Sequence, residues 1–205
     1  LWDRWVGDDR SRFPAALAAP DSALRMQRFF GAWEAIAPRP VLNKNNRLNG
    51  YAHLIAPHLP NALFICLTRD PVHLAQSLYV ARERITRDTA VPYGAVGEEY
   101  RQVRQPDDPL RDVCLQVEHY ERLADQQQQA IGAERFWRVS YEEFCADPRA
   151  LIERVAAFAS VRIADEGMPT SFTPSTSNRL PDALVGRIKE ECDALGLSAR
   201  RPVFA

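Results

Sequence analysis

The sequence has 205 residues, of which 46% are hydrophobic and 26% charged, and this balance predicts one globular domain over residues 1–205 and excludes a disordered or fibrous chain. Its formal net charge of −1 and predicted pI of about 6.5 exclude a global positive field that would gather nucleic acid or an anionic membrane surface. A bound anion must therefore be held by a local cluster of cations.

Four cysteines are scattered along the chain without C-x-x-C spacing: Cys66, Cys114, Cys145 and Cys192. We expect reduced thiols in the core of a cytoplasmic protein, with disulfides as the alternative.

No apolar run approaches the ~18 residues of a membrane span and no signal-peptide pattern opens the sequence, so no membrane partner is expected. Because the sequence starts at Leu1 without a leader or linker, we expect the amino end of the natural chain to be missing.

Helices and strands are predicted to alternate along the first part of the chain. The apolar spacing of residues 22–36 predicts a helix, and "PVLNK" is predicted to be a short strand that ends at Lys44. "NRLNGYAHLIAPHL" is predicted to form a second helix, weakened by its glycine. "NALFICLT" is a continuous apolar run, which is typical of a strand buried on both faces of a parallel sheet.

The rest of the chain is predicted to continue this alternation. The predicted elements are helices over residues 71–87, 110–131 and 149–159 and from about Pro181, a strand at "ERFWRVS", a turn at "YEEFCADP" and an irregular polar segment through Asp108. Strands separated by helices indicate an α/β fold with a mainly parallel sheet flanked by helices.

The stretch "LTRDPVHLAQSLY" joins the apolar strand to the next helix. Asp70 is placed to cap this helix, and Pro71 suits its first position. Arg69 lies at the carboxyl end of the strand, where open α/β sheets bind ligands, and Ser77 lies about two turns into the helix. A guanidinium and a hydroxyl that converge near a helix start would suit a phosphate group. The alternative is that Arg69 pairs with a carboxylate and Ser77 is an ordinary helix residue.

Two further residues are predicted at the same edge of the sheet. Lys44, one of two lysines in the chain, ends the preceding predicted strand 25 residues before Arg69, and Tyr141 follows a later strand. In a parallel sheet the carboxyl ends of the strands meet at one edge, so two cations and an aromatic side chain are expected there together. This combination favours the phosphate site over the alternative.

These motifs occur in the order and spacing of a known family. "FICLTRDPVHLAQSL" has an apolar strand, an R-D-P turn and a serine eight residues after the arginine. It resembles the 3′-phosphate signature of the sulfotransferases that use 3′-phosphoadenosine 5′-phosphosulfate. "NKNNRLNGYAHLIAPHLPNALFICLTRDP" and "RVSYEEFCADPRALIERVAAF" resemble the corresponding stretches of bacterial and tyrosylprotein sulfotransferases. The resemblance spans roughly residues 41–158.

The resemblance implies a role for each matching residue. Arg69 and Ser77 would hold the 3′-phosphate of the cofactor, and Tyr141 would lie near its adenosine. Lys44 would be the catalytic residue that faces the sulfuryl group. Negative charge accumulates on the leaving nucleotide during such a transfer, and a lysine ammonium stabilises that charge.

Three further residues are candidates for cofactor binding under the same resemblance. Arg82, one helical turn beyond Ser77, is a candidate for another phosphate contact. The polar loop 175–179 would close over the cofactor, with Ser177 and Arg179 as its contacts. No metal is expected.

The identity of the general base stays open. Cytosolic sulfotransferases place a histidine two positions after the lysine, where this chain has Asn46, and asparagine cannot accept a proton at neutral pH. Tyrosylprotein sulfotransferases use a carboxylate from an earlier segment. The remaining candidates in this chain are Asp3, Asp8, Asp9, His53 and His58.

The family's phosphosulfate loop, P-[KR]-[ST]-G-[ST], does not occur in this sequence. We therefore expect a P-loop-NTPase-like sulfotransferase fold without its first strand, loop and helix. The predicted function is transfer of a sulfuryl group from 3′-phosphoadenosine 5′-phosphosulfate to the hydroxyl of a small-molecule or peptide acceptor, with adenosine 3′,5′-bisphosphate as product. The alternative is a non-catalytic nucleotide-binding or scaffold protein of the same fold. A nucleotide kinase is disfavoured because no Walker loop is evident. The sequence indicates neither the acceptor nor the oligomeric state.

Overall fold

The computed structural model describes residues 19–37, 39–94, 96–164 and 167–199. The elements of these residues are helices α1 Pro20–Ile36, α2 Ala52–Ile55, α3 Pro71–Ala81, α4 Glu98–Val103, α5 Pro109–Ile131, α6 Tyr141–Ala146, α7 Pro148–Phe158 and α8 Asp182–Ala194, and strands β1 Phe64–Thr68 and β2 Phe136–Ser140. Short 3₁₀ turns at Asn46–Leu48 and Ala56–His58 lie before and after α2, and a π-helical turn at Arg82–Thr86 continues α3.

Proline and aspartate fix where several helices begin. Helices α1, α3, α5 and α7 each start with a proline, which suits this position because its missing N–H would have no partner there. Asp70 Oδ1 accepts the His73 N–H at 2.9 Å, and Asp147 Oδ1 accepts the Ala150 N–H at 3.1 Å, so each carboxylate satisfies a free amide at a helix start.

Among the helices of the described residues, none combines the length and the apolar character needed to cross a membrane.

The two strands pair in parallel. The Phe64 N–H donates to the Arg135 carbonyl at 2.8 Å, and the Thr68 hydroxyl donates to the Val139 carbonyl at 3.2 Å. The partner residues therefore advance in the same direction along both strands, and the helical segments between them provide the crossover that parallel strands need. The predicted α/β class, with helices around a parallel sheet, is confirmed at this level.

The chain divides into two compact units, and the first takes in the residues up to Phe64 together with Asp125–Trp137. The core of this unit consists of the fully buried Met26 and Ile55 with partly buried apolar neighbours at Leu48, Tyr51, Leu54, Leu59 and Phe64. Burial of these side chains holds α1 and α2 together.

The second unit comprises Ile65–Ala124 and the residues from Arg138 onward. Its core lies between α3, α5 and α8 and consists of Ala75, Leu78, Leu110, Val113, Cys114, Val117, Ile188, Cys192 and Leu197. Cys114 on α5 and Cys192 on α8 are both buried free thiols, with their sulfur atoms 3.9 Å apart. This core fixes the tail helix against the helix that carries Ser77.

The structure corrects several of the predicted elements. The predicted strand "PVLNK" is wrong, because residues 40–45 form no regular element, and the sheet of the described residues consists of β1 and β2 alone. The predicted helix at "NRLNGYAHLIAPHL" is broken, since Gly50 has a φ of 83° and Pro57 lacks an amide hydrogen. The predicted turn "YEEFCADP" contains α6, and the segment predicted to be irregular contains α4.

Candidate functional site

Arg69 lies in the short turn between β1 and α3. Strand β1 ends at Thr68, and α3 begins at Pro71 behind its Asp70 cap. Arg69 is therefore at the carboxyl end of β1, the position where open α/β sheets bind ligands. Ser77 follows in the second turn of α3 and is half-buried.

Tyr141 lies against the Arg69 guanidinium. Tyr141 is the first residue of α6, directly after β2, and the Arg69 Cζ lies 4.9 Å from the centroid of its ring, within the range of a cation–π interaction. Among the described residues Arg69 forms no ion pair with a carboxylate, and its buried Nε has no acceptor. Within the described ranges, the carboxylate pairing considered as the alternative is thus not found.

The tail loop that follows α7 contacts both of these side chains through Ser175. The Arg69 Nη2 donates to the Ser175 carbonyl oxygen, and the Ser175 N–H donates to Tyr141 Oη at 3.0 Å. The Arg179 Nη2 donates to Ser175 Oγ at 2.9 Å. Four residues of the second unit, from two strand ends and the tail, therefore form one connected cluster, while Ser177 is exposed beside it.

Gln76 connects this tail loop to α3. Its side chain is 1% exposed, and its Oε1 accepts the Arg179 backbone N–H at 3.0 Å. Sequence reasoning missed Gln76, and the available signal was a polar residue next to Ser77 on a helix whose neighbouring positions, Ala75 and Leu78, are core residues.

Glu142 is a second residue that sequence reasoning missed. Its Oε1 accepts the Asp70 N–H at 3.2 Å, and its Oε2 accepts the Ser140 hydroxyl at 3.1 Å. One carboxylate thus holds the turn after β1 to the turn after β2. Arg69 directly precedes Asp70, and Tyr141 directly follows Ser140. The two hydrogen bonds of Glu142 therefore help to fix the positions of Arg69 and Tyr141 relative to each other.

Arg82 has a different environment from the other predicted contacts. Its side chain is 0% exposed, and its guanidinium donates to four acceptors, namely Asp112 Oδ2 at 2.8 Å, Tyr100 Oη at 2.9 Å, Gln116 Oε1 at 2.7 Å and the Thr89 carbonyl at 3.1 Å. Burial and the Asp112 hydrogen bond raise the pKa of Tyr100 above its usual range. The protein itself therefore neutralises the Arg82 charge, and a phosphate would have to compete with these acceptors.

Lys44 belongs to the first unit, in the segment without regular structure that precedes the Asn46–Leu48 turn. Its side chain is exposed, as is that of Asn46. Of the histidines considered as bases, His53 Nδ1 lies 3.0 Å from Gln127 Oε1, and His58 is half-buried. Asp3, Asp8 and Asp9 lie outside the described residues.

Other features of the second unit are separate from the Arg69 cluster. A cleft of about 380 Å³ is lined by Ala146, Asp147, Arg149, Met168, Pro169 and Thr170, and none of the predicted site residues is among them. In the described part of the chain, no group of three or more histidine, cysteine, aspartate or glutamate side chains is arranged to hold a metal ion.

Arg69 at the end of β1 and Arg179 of the tail bring two guanidinium groups into one cluster of the second unit, both bonded to Ser175. A family model described as Sulfotransferase family matches residues 3–165, which is about four-fifths of the chain, and the chain therefore belongs to the sulfotransferase family. The matched region contains Lys44, Arg69, Ser77 and Tyr141 and ends before the tail loop. Neither a curated protein nor a solved structure gave a significant match.

Proposed function

We propose that the chain is a sulfotransferase that takes its sulfuryl group from 3′-phosphoadenosine 5′-phosphosulfate, transfers it to the hydroxyl of an acceptor and leaves adenosine 3′,5′-bisphosphate. Membership of the family supports sulfuryl transfer. The observation that carries the choice of donor is Arg69, a guanidinium at the carboxyl end of β1 that forms no ion pair with a carboxylate among the described residues. A cation in this position without a carboxylate partner favours an anionic ligand.

Arg69 and Ser77 carry groups that suit a phosphate. A guanidinium forms charge-assisted hydrogen bonds with phosphate oxygens, and the half-buried hydroxyl of Ser77 adds a neutral donor. We assign the 3′-phosphate to Arg69 and Ser77, with Ser177 and Arg179 of the tail closing over it. We assign the adenosine to Tyr141, whose ring offers a face for stacking.

Lys44 is the proposed catalytic residue. The cofactor, when bound, supplies an activated sulfuryl group on a nucleotide that leaves as an anion. An ammonium group held near that anion stabilises the developing charge, by about 3 kcal/mol in a water-excluded site. The support for Lys44 is its place in the motif "NKNN" of the resemblance. We leave Arg82 out of the proposed site, because four protein acceptors already engage it.

The acceptor and the cellular setting are proposed from chemistry. Sulfuryl transfer needs a nucleophilic oxygen, so a small alcohol, a phenol, a sugar or a peptide tyrosine is a compatible acceptor. The four cysteines are free thiols, which suits the reducing cytoplasm.

Calorimetric titration with adenosine 3′,5′-bisphosphate tests the proposed donor site, and adenosine 5′-monophosphate is the matched ligand without the 3′-phosphate. We expect the bisphosphate to bind at least tenfold more tightly, the ratio that one charge-assisted contact provides. Equal affinity for both nucleotides would refute the assignment of Arg69 and Ser77 to the 3′-phosphate.

A further inference from the structure

Gln76 is a buried amide in the apolar side of α3, and only one end of it is bonded to the described protein. Its Oε1 accepts the Arg179 N–H at 3.0 Å, whereas its Nε2 has no acceptor among the described residues. Burying an amide is unfavourable unless its polar atoms are paired. An apolar side chain of similar size would therefore be buried here at a lower free-energy cost. The hydrogen bond to the Arg179 N–H is the interaction that an apolar side chain could not form.

The bond to Arg179 reaches the Arg69 cluster through the tail. Arg179 donates from Nη2 to Ser175 Oγ at 2.9 Å, and Ser175 accepts from Arg69 and donates to Tyr141. The tail loop is thus attached at both of its ends, by Gln76 at Arg179 and by Arg69 with Tyr141 at Ser175. Between these ends Thr176, Ser177 and Asn178 are exposed.

The two attachments differ in how an anion affects them. The Arg69 attachment uses the same guanidinium that the anion would contact, so ligand binding changes the charge beside the Ser175 carbonyl. The Gln76 attachment joins a neutral amide oxygen to a backbone N–H, and no cation takes part in it. We therefore expect a bound anion to affect it less than the Arg69 attachment.

We propose that Gln76 is a positioning residue for the tail, holding the Arg179 backbone against α3 so that Arg179 and Ser177 stay beside Arg69 when an anion binds. Gln76 acts through Arg179 and does not touch the reacting atoms. The ligand side of this inference rests on the proposed function, since the anion is the 3′-phosphate of the nucleotide. The tail attachment itself does not depend on any ligand.

Trypsin cleavage between Arg179 and Leu180, followed by mass spectrometry of the fragment that begins at Leu180, measures how firmly the tail is held. Gln76→Met keeps nearly the same side-chain length and removes the acceptor. We expect it to speed this cleavage about fivefold, the ratio for one net hydrogen bond. Gln127→Met is the matched control, because Gln127 is also buried and accepts the His53 N–H at 2.9 Å in the first unit. It should leave cleavage at Arg179 unchanged.

Titration of both variants supplies the readout that a merely structural role would not change. We expect Gln76→Met to bind adenosine 3′,5′-bisphosphate about fivefold more weakly while its affinity for adenosine 5′-monophosphate stays the same. Loss of affinity for both nucleotides alike would overturn the positioning role. Wild-type rates of tryptic cleavage in the Gln76→Met protein would overturn the attachment.

The two proposals can fail separately. If the wild-type protein does not prefer the bisphosphate but Gln76→Met still speeds cleavage, the donor assignment falls and the attachment stands. If Gln76→Met does not fold, hydrogen exchange of the wild-type Arg179 amide decides. Slow exchange supports the bond to Gln76, and exchange at the rate of an unstructured peptide overturns it.

Discussion

The guanidinium of Arg69 lies over the ring of Tyr141, with Cζ 4.9 Å from the ring centroid. These residues are far apart in sequence and meet because each follows a strand of the same parallel pair. Near the ends of these strands, the Thr68 hydroxyl donates to the Val139 carbonyl. Parallel pairing brings both carboxyl ends to one edge. The tail then adds Ser175, which bonds to both side chains.

Replacing Arg69 with alanine should weaken binding of adenosine 3′,5′-bisphosphate roughly tenfold to hundredfold, because a charge-assisted phosphate contact is lost. Arg84→Ala is the matched control, since Arg84 is an exposed arginine in the turn that continues α3. Calorimetric titration of both variants checks the prediction. Similar affinities in the two variants would remove Arg69 from the site.

Replacing Tyr141 with phenylalanine removes the acceptor of the Ser175 N–H and keeps the ring beneath Arg69. The free energy of unfolding should fall by about 0.5–1.5 kcal/mol, the net value of one hydrogen bond. Tyr141→Ala should cost more, because it also removes the cation–π contact and the half-buried ring. Urea denaturation measures both losses, with Tyr93→Phe as the control at an exposed tyrosine. Equal losses for the two Tyr141 variants would contradict a role for the ring.

Replacing Asp112 with asparagine should lower the free energy of unfolding by about 3–5 kcal/mol, because it leaves the charge of Arg82 buried without compensation. Both side chains of this pair are 0% exposed. Glu98→Gln is the control, since Glu98 and Arg101 form an exposed pair at 3.6 Å whose loss should cost less than about 0.5 kcal/mol. A small loss for Asp112→Asn in urea denaturation would show that the pair does not hold the second unit together.

Local patterns in the sequence predict much of this arrangement. The apolar run before Arg69, the Asp70 cap and the Pro71 start lie within a few residues of one another, so propensity and spacing are sufficient to find them. The parallel sheet follows from the alternation of strands and helices. The meeting of Arg69 and Tyr141 at one edge then follows from topology.

The parts that sequence reasoning missed depend on distant partners. Gln76 bonds to the backbone of Arg179, and Glu142 bonds to the backbone of Asp70. A polar residue among core positions can mark a side chain such as Gln76, but the local pattern does not show which remote backbone group it binds. Arg82 lies one turn beyond Ser77, but Asp112 on α5 pairs with its guanidinium. Spacing along one helix cannot show a partner on another.

Cys66 on β1 should react slowly with alkylating agents at neutral pH, because burial raises the pKa of its thiol to about 11 and the thiolate is the reactive form. The nearby Arg138 opposes this shift and Glu121 adds to it. The folded state thus holds the proton more tightly than the unfolded state. The free energy of unfolding should therefore fall as the pH rises from the usual thiol range through about 11.

Rates of iodoacetamide alkylation of Cys66, followed by peptide mass spectrometry from pH 7 upward, check this prediction for the folded protein, with the urea-unfolded chain as control. We expect the rate to rise with a midpoint near 11 in the folded state and at the ordinary thiol pKa, ~8.5, in urea. Cys66→Ala should make the fall of stability at high pH less steep. A folded midpoint at or below the unfolded one would mean that the Arg138 charge outweighs burial at this position.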